Sequence, residues 1–577
     1  MNRQGRPIRT LCLAVGFLFL SVCLLPGSAV AADDIKLLRQ RLEQMAGEMA
    51  AMQKKLEALE QKTEAKAADI EEIDDRLNKA ELHTATDKVS FGLELRTRAD
   101  SLHYQDVQVA PSALVGAFFN PYPGAFPAVP PGFNGATAAQ AQAYMAAMAA
   151  AGQIPPAEKY DVDNDIIFTN KFRLNMKAKV NDQLDFTGRL AAYKVFGDST
   201  GVKFNGGSLG DITLDGNTSS TPHGDTIRLE RAYFNYKKDL GPVPTNFSLG
   251  RRPSTDGPSA EYMNNSLEGG SPLATIINWQ FDGASYSMGL EDVTGIPGAA
   301  LKLCYGVGFE GDWGNSYSLS STQSHVDDVH LFGFIATLFD NDETSMVFNY
   351  AHAWDITDGF TGLTVMPFIV SENSTTGAYT FTQNSGGYIS RFQPTAEIGD
   401  WDAASVLLRT NLTEPLDKDI DLFLSGSWSH TKPSGISKNP FYKLMGMGLL
   451  NSNGEMAERD GYMIYMGAVL AMPWEGRFGL EYNYGSQYWF NFTGAEDSLV
   501  GSKLAVRGQV IEGYWHQPIV ADRFFATLGT RYYDYEYTGS GNPLGEPQEI
   551  DTLNALGALN PVIDKVWDAY LSLTFRY

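Results

Sequence analysis

Three stretches of this sequence carry the spacing of familiar chemistry. Gly206-Gly207-Ser208-Leu209-Gly210 matches G-x-S-x-G. A nucleophile elbow needs a strand before the serine and a helix after it. This stretch lies in a Gly-rich loop, so it reads as loop. Gly306-Val307-Gly308-Phe309-Glu310-Gly311 matches G-x-G-x-x-G. No helix follows to receive a pyrophosphate at its N-terminus. Asp161, Asp163 and Asp165 are spaced like the start of a Ca²⁺ loop, but Ile166 and Phe172 stand where the glycine and the closing glutamate belong. The aspartates would hold divalent ions only loosely. The His residues are scattered, and Cys12, Cys23 and Cys304 make no haem or zinc motif. The reading is therefore no enzyme, no metal, no cofactor and no nucleic-acid partner.

Charge is the more informative pattern. The chain has a formal net charge of -24, and its basic residues gather on alternate positions of the early apolar segments. Arg96, Arg98, Lys171, Arg173, Lys177, Lys179, Arg189, Arg231 and Arg251 all fall on polar phases, with Glu94 and Asp185 the few acids among them. A ladder of Arg and Lys along an aqueous wall favours anions. The alternative is that carboxylates on inward-folded loops pair with these cations. Around Arg228 to Tyr236 the phase is ambiguous, and Arg231 needs a bulge to face inward.

Such a wall needs strands, and the period of the sequence is two from residue 88 onward. Phe172, Leu174, Met176, Ala178 and Val180 alternate with Lys171, Arg173, Asn175, Lys177 and Lys179. Trp567, Ala569, Leu571, Leu573, Phe575 and Tyr577 alternate with Asp568, Tyr570, Ser572, Thr574 and Arg576. One face suits lipid and the other water. Sixteen segments of this kind begin near Ser90, Phe168, Leu184, Thr226, Asn246, Asp282, Leu301, Val329, Thr344, Ala403, Asp421, Tyr462, Arg477, Leu504, Phe524 and Lys565. Short turns such as 180–183, 340–343, 473–476 and 520–522 alternate with long polar loops, roughly 103–165, 197–225, 252–281, 311–328, 355–400, 432–460, 486–502 and 538–564. That layout predicts an all-β transmembrane β-barrel of about 16 antiparallel strands, range 14–18. About sixteen strands enclose an aqueous channel.

Ahead of the barrel the pattern changes. Residues 1–31 read as a signal peptide: Arg3, Arg6 and Arg9, an apolar run from Leu11 to Leu25, and Ala29-Val30-Ala31 as the cleavage site. Residues 32–82 read as a periplasmic α-helical coiled-coil stalk, followed by a linker at 83–87 and the barrel at 88–577. The seam is Ile35, Leu38, Leu42, Met45, Met49, Met52, Leu56, Leu59, Ile70, Ile73 and Leu77, spaced by threes and fours and compatible with three strands.

The ending Phe575-Arg576-Tyr577, with Leu573 upstream, resembles the C-terminal signal that the barrel-assembly machinery reads in outer-membrane proteins. Leu249-Gly250-Arg251-Arg252-Pro253 resembles the matching stretch of Gram-negative, sixteen-stranded porins, phosphate-selective ones included. With its stalk, the chain resembles an uncharacterised porin-like family of anaerobic deltaproteobacteria. The resemblance implies an outer-membrane channel, read here as one for passive diffusion of small hydrophilic solutes, with the basic ladder leaning it toward anions. It implies a homotrimer in contact with outer-membrane lipid and lipopolysaccharide. A second reading is a structural barrel whose stalk tethers peptidoglycan, or which sheathes a multihaem cytochrome. The cleavage site predicts a mature N-terminus at Ala32, which takes the net charge from -24 to -27 by removing three arginines. Mass spectrometry of the exported protein checks this, and an acylated Cys23 would overturn it.

Overall fold

The structure is a computed structural model. It describes residues 89–577 apart from 124–131, 197–225, 254–261, 263–264, 266–271, 310–325, 360–361, 366–367, 387–388, 393, 414–418 and 495–496. Two compact units divide the chain, Met1–Lys88 and Val89–Tyr577. In the first only Gly47, Met49, Met52, Lys54 and Lys55 are described, and all five are helical. The signal peptide, the linker and the rest of the seam lie outside the described residues. Among the described residues no helix is long and apolar enough to cross a membrane.

The second unit is one closed antiparallel sheet of sixteen strands. In chain order these are β1 (Val89–Val109), β2 (Glu158–Lys179), β3 (Leu184–Val195), β4 (Thr226–Leu240), β5 (Val243–Arg252), β6 (Phe281–Gly289), β7 (Ala300–Phe309) and β8 (Val329–Asp340). Then come β9 (Thr344–Thr357), β10 (Glu397–Asn411), β11 (Ile420–Pro433), β12 (Arg459–Ala471), β13 (Arg477–Gly485), β14 (Gly508–Val520), β15 (Phe524–Tyr535) and β16 (Lys565–Arg576). Each strand pairs with its sequence neighbours, and β16 returns to β1 with Glu94 opposite Arg576 and Gln105 opposite Lys565. Leu93 and Tyr577 exchange backbone hydrogen bonds of 2.8 Å across that seam.

Turn chemistry sets the short connections. The Asn181 side chain accepts from the Gln183 and Leu184 amides, and Asn341 does the same for Glu343 and Thr344. Gly241 takes the positive φ that the tight link between β4 and β5 requires. Alternation then sorts the faces. On β16, Trp567, Leu571, Leu573 and Phe575 are exposed outside, while Asp568, Tyr570, Ser572 and Thr574 are buried inside.

Several boundaries differ from the sequence reading. Residues 103–109 and 158–165, expected within the loop 103–165, are strand, because β1 and β2 pair from Val89–Ala178 to Val109–Glu158. Asp161, Asp163 and Asp165 therefore lie on a strand and not in a Ca²⁺-type loop. Asp163 bonds His103 at 2.7 Å, and Asp161 accepts from the Asp106 amide. Leu504 sits in a 3₁₀ turn ahead of β14, and β10 starts at Glu397. Gly306 and Gly308 are strand residues of β7. The G-x-S-x-G stretch lies outside the described residues.

The faces carry a direct test. Leu571→Arg puts a charge near mid-strand on the outer face, where it costs about 2–4 kcal/mol in a bilayer. Urea unfolding in lipid vesicles checks this, and unchanged stability would mean that the outer face of β16 does not meet hydrocarbon.

Candidate functional site

Strand number sets the width of the barrel, but loops decide what fills it. Two long connections turn inward. The one after β5 brings Ile276, Ile277 and Trp279 inside; the one after β13 brings Trp489, Phe490 and Phe492. They meet as a short parallel pair, Ile277 with Phe492 and Asn278 with Thr493. Both pack on inner-wall side chains of β8–β14, among them Leu331, Val347, Trp401, Leu407, Phe423, Tyr465 and Tyr514. Hydrogen bonds pin them: Trp401 Nε1 to the Phe490 carbonyl (3.2 Å), Trp489 Nε1 to the Leu504 carbonyl (2.8 Å), and Asn491 Nδ2 to the Thr275 carbonyl (3.0 Å). Deeper in, His516 contacts the Tyr262 carbonyl and Arg576 donates to that of Asn265. The expectation of a water-filled interior is thus corrected on this side, where apolar and aromatic side chains occupy the space.

The other side is polar, and most of the predicted basic ladder lies there. Arg96 and Lys171 both bind Asp497, which the loop after β13 carries in; the Arg96 contact is 3.2 Å. Tyr193 donates its hydroxyl proton to the same carboxylate (2.6 Å). Burial pushes the Asp497 carboxyl up, but Lys171, Arg96 and Arg173 outweigh it and hold it well below the usual carboxylate range. Arg173 forks onto Glu230 (2.8 and 3.0 Å) and reaches Glu94 (3.4 Å). Arg189 faces Glu230 (3.5 Å) and Asn175 (2.5 Å). Arg98 bonds Asp100 and Asp568. Lys179 is exposed and meets Asp182 in the following turn (2.9 Å), a contact worth little. Lys177 is exposed on the same phase.

Arg231 does face inward, by means of a bulge. The β3–β4 register shifts between Arg189–Arg231 and Leu190–Leu229, so Glu230 and Arg231 are both buried. Two adjacent charges within an alternating strand were the available signal. Arg251 shares the alternation phase of the exposed Phe247 and Leu249, yet its own side chain is only 12% exposed and bonds Asp282 (2.8 Å). The neighbouring Arg252 lies on the lumen phase and donates to Ser248 (3.0 Å).

Sequence reasoning missed a second charged cluster on the inner wall of β13–β16. Lys503, again from the loop after β13, bridges Glu481 and Glu512. Arg531 joins Glu512 (2.6 Å) to Asp568 (3.7 Å). Tyr465 and Tyr514 donate to Glu481, and Tyr570 to Glu512. All these charges are buried. The loop is therefore charge-matched to both walls, with Asp497 against the basic one and Lys503 against the acidic one.

The geometry defines a transmembrane-type β-barrel: closed, apolar outside, and charged within, its interior divided by two inward loops. Residues 161–577 match the family described as "Protein of unknown function (DUF3373)", and the chain belongs to that family. No curated protein matches the sequence. Among solved structures, OprB of Pseudomonas putida aligns at 9% identity and TM-score 0.37, over 85% of this chain and 94% of that one. The trimer form of OmpT of Vibrio cholerae aligns at 10% and 0.37, over 85% and 99%. An anion-selective porin from Comamonas acidovorans aligns at 10% and 0.37, over 85% and 97%.

Asp497→Asn leaves Arg96 and Lys171 buried without their shared carboxylate, which costs about 3–5 kcal/mol. Thermal or urea unfolding of the purified barrel checks this. Because the folded carboxyl titrates below its unfolded value, its contribution is present at neutral pH. It is lost only as the pH falls below about 4 toward the folded value. Acid sensitivity above that range would point to another group.

Proposed function

We propose that this protein is an outer-membrane channel for passive diffusion of small hydrophilic solutes, with a preference for anions and no enzymatic activity. The observation that carries this reading is the inner wall of β1–β7. Arg96, Arg98, Lys171, Arg173, Lys177, Arg189, Arg228, Arg231, Arg252 and Lys302 face Glu94, Asp100, Asp185, Glu230 and the loop's Asp497. Positive charge is in excess, although many cations are paired. Several of these wall residues are only half-buried, whereas the opposite wall is packed. The solute path in this reading runs along β2–β7. A surplus of fixed cations beside such a path concentrates anions and repels cations. The short turns face the periplasm, the long loops face outward, and the stalk lies in the periplasm, where it supports a homotrimer.

Single-channel recording in a planar bilayer tests the reading. The expected result is a discrete conductance whose reversal potential in a KCl gradient favours chloride. Lys177→Glu with Arg228→Gln removes three units of positive charge from the wall and shifts the reversal potential toward cations. No conductance from correctly folded protein would instead favour a structural barrel.

A further inference from the structure

The inner wall of β5–β7 contains a niche of about 60 Å³. Arg252 and Lys302 line it, with Cys304 between them in sequence phase. Gly283 and Gly306, paired across β6 and β7, line it where the strands approach so closely that a Cβ on either would crowd the neighbouring strand. Phe281, Leu331 and Ile335, with Ile277 of the inward loop, form apolar sides.

The two cations differ from their neighbours. Arg96, Arg98, Lys171, Arg173 and Arg189 each meet a carboxylate. Among the described residues Arg252 bonds the uncharged Ser248 and Cys304, and the other titratable group acting on it is Tyr233. For Lys302 the titratable groups are Arg252 and Cys304. Among the described residues no carboxylate faces either one from β4, β6, β7 or β8. Two half-buried like charges held together without a counter-charge are costly, and an anion seated between them relieves that cost.

We propose that this niche binds a small carboxylate anion with a short apolar body, of the size of propionate. The inference rests on the reading of the lumen as a solute path and names a solute class for it. Arg252 presents a planar fork suited to a carboxylate, and Lys302 adds a point charge. The apolar sides suit a short alkyl body and offer nothing to the outer oxygens of a strongly hydrated phosphate. A water occupies roughly 10–15 Å³ of such space, so the niche holds about four to six heavy atoms.

Saturation-transfer NMR on sodium propionate, with the purified full-length protein, tests this directly. The expected result is a clear methyl signal from wild type that falls several-fold in Lys302→Met. Arg252→Gln serves as the second variant should the first fail to fold, with circular dichroism as the check on the barrel. Alkylation of Cys304 by a maleimide gives an independent measure: propionate slows it, and sodium chloride of equal ionic strength does not. Equal signals from wild type and both folded variants would overturn the proposal, as would displacement of propionate by equimolar phosphate. If propionate binds but the barrel conducts nothing, the channel reading falls and the niche stands. If the barrel conducts and propionate does not bind, the niche alone falls.

Discussion

Everything in the barrel follows from one constraint: a backbone amide or carbonyl inside hydrocarbon must find its partner within the protein. A sheet meets that requirement only when its first and last strands pair. Here they do, from Glu94–Arg576 to Gln105–Lys565, and the chain terminus itself completes the ladder through Leu93 and Tyr577. Closure is also why alternation is so regular. With no edge to absorb a slip, a single-residue shift would carry Asp568 to the outer face and Leu571 inward. At one of several register shifts, that at Glu230, the extra residue sets two opposite charges side by side on the inner wall.

Inside the barrel, electrostatics takes over from hydrogen-bonded closure. Isolated charges in such an interior are costly, and each fixed cation or carboxylate constrains whatever lies opposite. The loop after β13 shows how this is resolved. It carries a carboxylate to the basic wall and an ammonium to the acidic wall, so its two ends are held by opposite fields. Between them Phe490 and Phe492 fill the space with aromatic contacts against Trp401 and Trp279. One loop therefore sets both how much of the lumen stays open and how much of the ladder's charge remains unbalanced.

That division bears on function. A packed wall of buried ion pairs, such as Lys503 with Glu481 and Glu512, does not present its charge to a passing solute. The half-buried wall does. Arg252 and Lys302 have no carboxylate neighbour among the described residues, and they sit where the half-buried wall meets Ile277 of the inward loop. In the proposed channel, selectivity would depend less on the number of cations than on which of them the loops neutralise.

By itself the sequence determined the strands, their number and their two faces. These depend on a period of two and on local turn chemistry, as at Asn181 and Asn341, and both are legible over a dozen residues. It also marked most of the ladder, since Lys171, Arg173 and Arg189 need only their parity to be placed. Three matters were decided by the tertiary structure alone. The strand-length extensions at 103–109 and 158–165 arise because each segment finds a partner in the other. The contacts of Arg251 with Asp282 and of Arg252 with Ser248 were set by the register of β5 against β4 and β6. The inward course of two loops, with Asp497 and Lys503 at their contacts, depends on residues hundreds of positions apart meeting across the barrel. No local pattern encodes such a meeting, because its energy comes from fields and contacts that exist only once the sheet has closed.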